Sequence, residues 1–138
     1  ETLFIRMEKH AANAMRLATA LQNHAKLNWV KYPFLPNHPQ YNIAKKQMSN
    51  GGGIITFELK GGIESGRHFL NALQMLSMTN NLGDSRSIAS HPASTTHSKL
   101  SEAERLEVGI TPGLIRISVG LEHFDDILAD IIQGLEKS

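Results

Sequence analysis

The chain has 138 residues with 14 basic and 13 acidic side chains, a formal net charge of +1, so its charge builds neither a nucleic-acid stripe nor a polybasic membrane anchor. Hydrophobic residues make up 41% and cysteine is absent, which excludes disulfides and thiolate metal sites and fits a reducing compartment. One domain of this length buries about two thirds of its unfolded surface, and no apolar run approaches the roughly 20 residues that span a bilayer.

The first residues lack the form of a signal peptide. They also start without methionine and enter an apolar helix almost at once, so the chain is expected to be a piece of a longer protein. From Thr2 to about Asn23, residues Leu3, Met7, Ala11, Ala14, Ala18 and Leu21 recur at helical spacing. This predicts a long amphipathic helix rich in alanine, the best helix former. Leu27 to Tyr32 reads as a strand stopped by Pro33, and Pro33, Pro36 and Pro39 make the next stretch an extended loop. Tyr41 to Met48 is expected to be a short helix.

Gly51-Gly52-Gly53 leads into Ile54-Ile55-Thr56-Phe57-Glu58-Leu59, a β-branched run expected to be a central strand. Gly61-Gly62 ends it, and a helix from about Glu64 to Leu76 should bury Phe69, Leu70 and Leu73. Thr79 to Asp84 is polar and reads as a turn, with a short strand over Ser85 to Ser90. Ser101 and Glu104 have the spacing of a capping box. Thr111-Pro112-Gly113 turns the chain into Leu114 to Val119, where Ile115, Ile117 and Val119 point one way and Leu114, Arg116 and Ser118 the other. The last helix, about Glu122 to Glu136, keeps Phe124, Ile127, Leu128, Ile131, Ile132 and Leu135 at i, i+3, i+4 spacing. Glu122, Asp125 and Asp126 would complement its positive end. The alternation of helices and strands predicts an α+β fold, a small, mostly antiparallel sheet with helices packed on one face.

Arg116 is the residue with chemistry to offer. On a half-buried strand it is either a solvent-facing arginine or the planar fork of a carboxylate clamp, which offers two parallel hydrogen bonds where lysine offers a point charge. Its spacing alone does not decide. His91 and His97, with Asp84, are the candidate metal ligands, but their separation, interrupted by Pro92, matches no familiar ligand pattern. The other histidines, His10 among them, call for no special role. No G-x-S-x-G elbow exposes a serine, Ser118 lying mid-strand. The glycine runs lack the fingerprint of a phosphate loop.

Three segments carry a resemblance. Asn81-Leu82-Gly83-Asp84-Ser85-Arg86-Ser87, His91-Pro92-Ala93-Ser94-Thr95-Thr96-His97 and Gly113-Leu114-Ile115-Arg116-Ile117-Ser118-Val119-Gly120-Leu121-Glu122 resemble, in that order, the C-terminal domain of the Cys/Met-metabolism enzymes. These are fold-type-I enzymes that use pyridoxal phosphate. Tyr32 to Gln40 is similar to the family's "YPGLPSHPQ" segment, with Phe34 in place of a glycine. The resemblance implies that Arg116 binds the α-carboxylate of an amino-acid substrate, that Asn81 lines the same pocket partly through its backbone, and that Thr96 matches a threonine standing behind it. It implies residues 1–23 as a helix linking from a large domain and 24–138 as the small domain, in a homotetramer with no nucleic-acid or membrane partner.

It also implies what should be sought outside this chain. The family's cofactor lysine lies in a Ser-x-Thr-Lys context, and none of Lys9, Lys26, Lys31, Lys45, Lys46, Lys60, Lys99 and Lys137 has that setting. The aromatic residue that stacks on the cofactor and the aspartate that pairs with its nitrogen likewise belong to the large domain. The expectation is a domain that holds substrate, without catalytic or cofactor-binding residues of its own. Within the family, the Asn-Asn-Leu-Gly-Asp and His-Pro-Ala-Ser-Thr-Thr-His details lean towards sulfhydrylation of O-succinylhomoserine to homocysteine. Methionine γ-lysis, cystathionine γ-synthesis and a non-catalytic, ferredoxin-like amino-acid-binding module are the alternatives.

Overall fold

Alternation along two strands makes a sheet with one greasy face. In the computed structural model, which describes residues 1–138, Ile55, Phe57 and Leu59 are buried while Ile54, Thr56 and Glu58 are half-buried. The same alternation buries Ile115 and Ile117 and leaves Leu114 and Arg116 half-exposed. These runs are β2 (Ile54–Leu59) and β5 (Leu114–Ser118), paired antiparallel at the centre of the molecule with Thr56 opposite Arg116. Around them lie β1 (Leu27–Lys31), β3 (Ser77–Met78) and β4 (Ile88–Ser90), in the order β1-β2-β5-β4-β3. Every pair is antiparallel except β3 with β4.

The helices are α1 (Leu3–Leu21), α2 (Tyr41–Gln47), α3 (Gly62–Ala72), α4 (Glu102–Glu107) and α5 (Phe124–Glu136), with a 3-10 turn at Pro92–Ser94. Leu17 and Leu21 of α1, Phe69 and Leu70 of α3, and Ile127, Ile131 and Leu135 of α5 join the apolar face of the sheet in one cluster of 22 buried residues. Phe57 meets Phe69 edge to face, centroids 5.6 Å apart, a geometry worth about 1 kcal/mol beyond the area it buries. The α+β architecture, a mostly antiparallel sheet with its long helices on one face, is the one expected.

Four details differ from expectation, each for a visible reason. The buried stripe of α1 is His10, Ala11, Asn13, Ala14, Leu17, Ala18 and Leu21, while Leu3 and Met7 lie exposed; two polar residues take places expected to be apolar. Helix α3 stops at Ala72 instead of running to Leu76, because the Asp130 carboxylate accepts the N–H groups of Gln74, Met75 and Leu76, each at 2.9 Å. The chain so drawn out forms β3, which was not anticipated. The strand expected from Ser85 begins only at Ile88: Asp84 turns the backbone by accepting Arg86 N at 2.9 Å, and the N–H of Ser87 goes to the Glu122 carboxylate at 2.6 Å. Glu122 therefore lies outside α5, whose N-cap is His123, with Asp125 and Asp126 in the first turn as expected. The capping box of Ser101 and Glu104 opens α4 as predicted.

Candidate functional site

A charged side chain in mid-sheet must find partners or solvent, and Arg116 finds some of each. It stands on the face of β5 away from the helices, between Thr56 of β2 and Ser90 of β4. Its Nη2 donates to the backbone carbonyls of Asn80 and Asn81, at 2.9 and 3.1 Å. Its Nε is buried and has no partner, and no acidic side chain forms an ion pair with it. A buried donor left unpaired costs about 1–3 kcal/mol, more when it is charged. Two carbonyls thus hold one corner of the guanidinium and leave another N–H seeking an acceptor. A carboxylate, taking two parallel bonds from the planar fork, is the group that best answers that need.

Asn81 is brought to Arg116 through its backbone. Its side-chain oxygen is engaged locally, accepting Leu82 N at 2.9 Å. Thr96 is not brought into hydrogen-bond contact with either residue; it is exposed, and its hydroxyl pairs with His97 Nδ1 at 2.8 Å.

The loop that supplies the two carbonyls is itself laced to β5. Gly83, in the left-handed region at φ +75°, donates its N–H to the Ser118 hydroxyl at 3.0 Å. Leu121 N reaches Ser85 O at 2.8 Å. The Ser87 hydroxyl donates to Glu122 Oε2 and accepts Gly120 N, both at 2.8 Å. From α1, Asn13 Nδ2 donates to the carbonyls of Gly120 and Glu122, both at 3.0 Å, and His10 Nδ1 binds Val119 O. His10 was expected to need no special account; at 3% exposure it anchors the strand exit instead. Its spacing with Asn13 and Leu17 on one helical face was the available signal.

The histidine segment serves the turn before β5. His91 is fully buried, its Nε2 donating to Pro112 O at 2.7 Å and its Nδ1 accepting the Ser94 hydroxyl at 2.8 Å. Burial pushes its pKa down, against the pull of the Pro112 carbonyl, with the Arg67 charge helping to lower it. Asp84 is paired with Arg86, whose side-chain hydrogen bond is the main cause lowering its pKa to about 2. The three candidate metal ligands therefore have other partners, and no three His, Asp or Glu side chains converge elsewhere.

Hollow size does not single out the site. The largest hollow, about 440 Å³, lies between α1 and the Tyr32–Phe34 stretch. A smaller one of about 170 Å³ adjoins the loop, lined by Leu82, Gly83, Ser118 and His10 among others. All eight lysines are exposed.

A profile of the family described as "Cys/Met metabolism PLP-dependent enzyme" matches residues 1–136. An L-methionine gamma-lyase of Pseudomonas putida is 51% identical, over 100% of this chain and 35% of its own length. An O-succinylhomoserine sulfhydrylase of Mycobacterium tuberculosis is 45% identical, over 98% of this chain and 34% of its own. A crystal structure assigned as an O-acetylhomoserine (thiol)-lyase of Campylobacter jejuni, carrying an N'-pyridoxyl-lysine-5'-monophosphate, superposes with a TM-score of 0.91 at 42% identity, covering 98% of this chain and 32% of that one. The chain thus spans about a third of the length of the relatives it matches.

Proposed function

The chain belongs to the Cys/Met metabolism family of enzymes that depend on pyridoxal phosphate, and on that premise we propose that it forms the substrate-carboxylate side of such an enzyme's active site. The observation that carries this reading is Arg116: a guanidinium held by two carbonyls, with a buried N–H unpaired. In the whole enzyme Arg116 binds and orients the α-carboxylate of an amino-acid substrate, Asn81 shapes the pocket through its backbone, and Thr96 stands behind it. When bound, the cofactor supplies an electron sink for carbanionic chemistry. Residues of this chain do not fit as its holder, because every lysine is exposed and none stands in an enclosed pocket that would shield an imine from water.

The reaction is proposed as γ-replacement on O-succinylhomoserine, with sulfide as nucleophile and homocysteine as product. The loop and histidine-segment details that resemble sulfhydrylases support it. Methionine γ-lysis is the second reading, favoured by the 51% identity to the Pseudomonas lyase. Release of homocysteine from O-succinylhomoserine and sulfide, against release of methanethiol from methionine, separates the two. The same proposal takes residues 1–23 as the link to the remainder of a cytoplasmic homotetramer. The exposed Leu3, Phe4 and Ile5, at 66%, 73% and 68%, support a surface covered in the whole protein.

In the whole enzyme, Arg116→Ala is expected to lower kcat/KM for the amino-acid substrate by about 2–5 kcal/mol of transition-state binding, the range for truncating one partner of a buried charge pair. An unchanged kcat/KM would remove Arg116 from substrate recognition.

A further inference from the structure

An arginine recognises a carboxylate well only if its fork is held still, because its long side chain otherwise loses rotamer freedom on binding. Here the holding is done by the carbonyls of Asn80 and Asn81, so the loop must itself be fixed. Its ties to the body of the protein are few. At one end Thr79 N bonds Ala89 O at 3.3 Å, and at the other Leu121 N bonds Ser85 O at 2.8 Å. Between those points, the hydrogen bonds from the loop to the sheet are those of Arg116 and the one from Gly83 N to the Ser118 hydroxyl, 3.0 Å. Ser118 is 3% exposed and lies two residues beyond Arg116, on the same face of the same strand.

We infer that Ser118 is a positioning residue for substrate-carboxylate recognition: by accepting the Gly83 N–H it fixes the loop whose carbonyls aim Arg116. This rests on the reading of Arg116 as the carboxylate ligand. The geometry gives the serine no direct part, since its hydroxyl is bonded to the loop and not to the guanidinium. One strand face thus carries both the charged group and the pin for its support, about 7 Å apart along the strand. The sequence offers the pair as R-I-S, with the isoleucine between them turned into the core.

A serine that only satisfies a half-buried N–H would, on removal, weaken the fold and every ligand alike. A positioning serine affects ligands according to whether they carry a carboxylate. The test is calorimetric binding of norleucine and of its decarboxylated counterpart pentylamine to the full-length holoenzyme, in wild type and in Ser118→Ala, Ser118→Cys, Ser118→Thr and Arg116→Ala.

Ser118→Ala is expected to weaken norleucine by about three- to tenfold, the loss of one hydrogen bond, with pentylamine changed less than about twofold. Ser118→Thr, which keeps the hydroxyl, should stay within about threefold of wild type for both. If the alanine variant does not fold, Ser118→Cys, nearly isosteric but a weak acceptor, carries the same expectation. Equal weakening of both ligands, or none, overturns the positioning role. Arg116→Ala separates the two layers of the argument. Should it keep the preference for norleucine, the carboxylate reading of Arg116 has failed and Ser118 falls with it. Should it lose that preference while the Ala and Cys variants at Ser118 keep it, Arg116 stands and the inference about Ser118 alone is wrong.

Discussion

At the scale of single residues, the chain shows how an odd charge on an apolar strand acquires a meaning. Arg116 was legible in the sequence because alternation placed it on the open face of β5, but its two readings could be separated only by partners. The structure supplies those as carbonyls of a loop some 35 residues away in sequence, and backbone carbonyls leave no trace in residue identity. Ser118 was hidden for a similar reason, since its value lies in which N–H it accepts. His91 makes a pH prediction. Burial holds its folded pKa below the ordinary 6.5, so the unfolded chain binds more protons between those two values. Stability should therefore be insensitive to this group above about pH 6.5, fall as pH drops below that, and level off beneath the folded value. His91→Gln, offering a neutral side chain, should remove that component from the pH dependence of Tm; an unchanged pH profile would show that His91 does not titrate on unfolding.

Elements were legible where apolar spacing persisted and illegible where one polar side chain overruled it. Helix α5 and strands β2 and β5 could be read from periodicity because their buried residues repeat without interruption. The end of α3 could not, because what stops it is Asp130, more than fifty residues away in sequence, and nothing in its identity says which N–H groups it accepts. Burial raises the Asp130 pKa, but hydrogen bonds from Leu76, Gln74, Met75 and Gln133 lower it further. Asp130→Ala is expected to cost about 2–4 kcal/mol by orphaning three N–H groups, measured by denaturant unfolding. The charge-dependent part of this contribution should be lost in the wild type as pH falls from the ordinary carboxylate range through the lowered folded pKa. The packing of α3 on the turn before β5 can be probed at Gly66, where an added Cβ would come within 2.6 Å of His91 Nε2. Gly66→Ala should destabilise by about 1–3 kcal/mol, and a change below about 0.5 kcal/mol would mean that the His91 ring moves aside freely.

For the whole molecule, fold and site divide along the sheet. One face carries the helices and the apolar cluster, and the other, half-exposed, presents Arg116 and its loop. Three of the segments resembling Cys/Met-metabolism enzymes map onto this face and its supports: the loop, the turn before β5, and β5 with its exit. None of the eight lysines is buried, so the isolated 138-residue chain, incubated with pyridoxal phosphate and dialysed, should keep no visible absorption. A stable adduct mapped to one lysine would contradict the view that cofactor chemistry resides outside this chain. The most direct measurement is a crystal structure of the full-length holoenzyme with an amino-acid ligand. The carboxylate should lie within hydrogen-bond distance of Arg116, using the Nε that has no partner here, with Nη2 still on the Asn80 and Asn81 carbonyls. A carboxylate bound elsewhere, with Arg116 Nε still unpaired or turned to another protein group, would contradict the account.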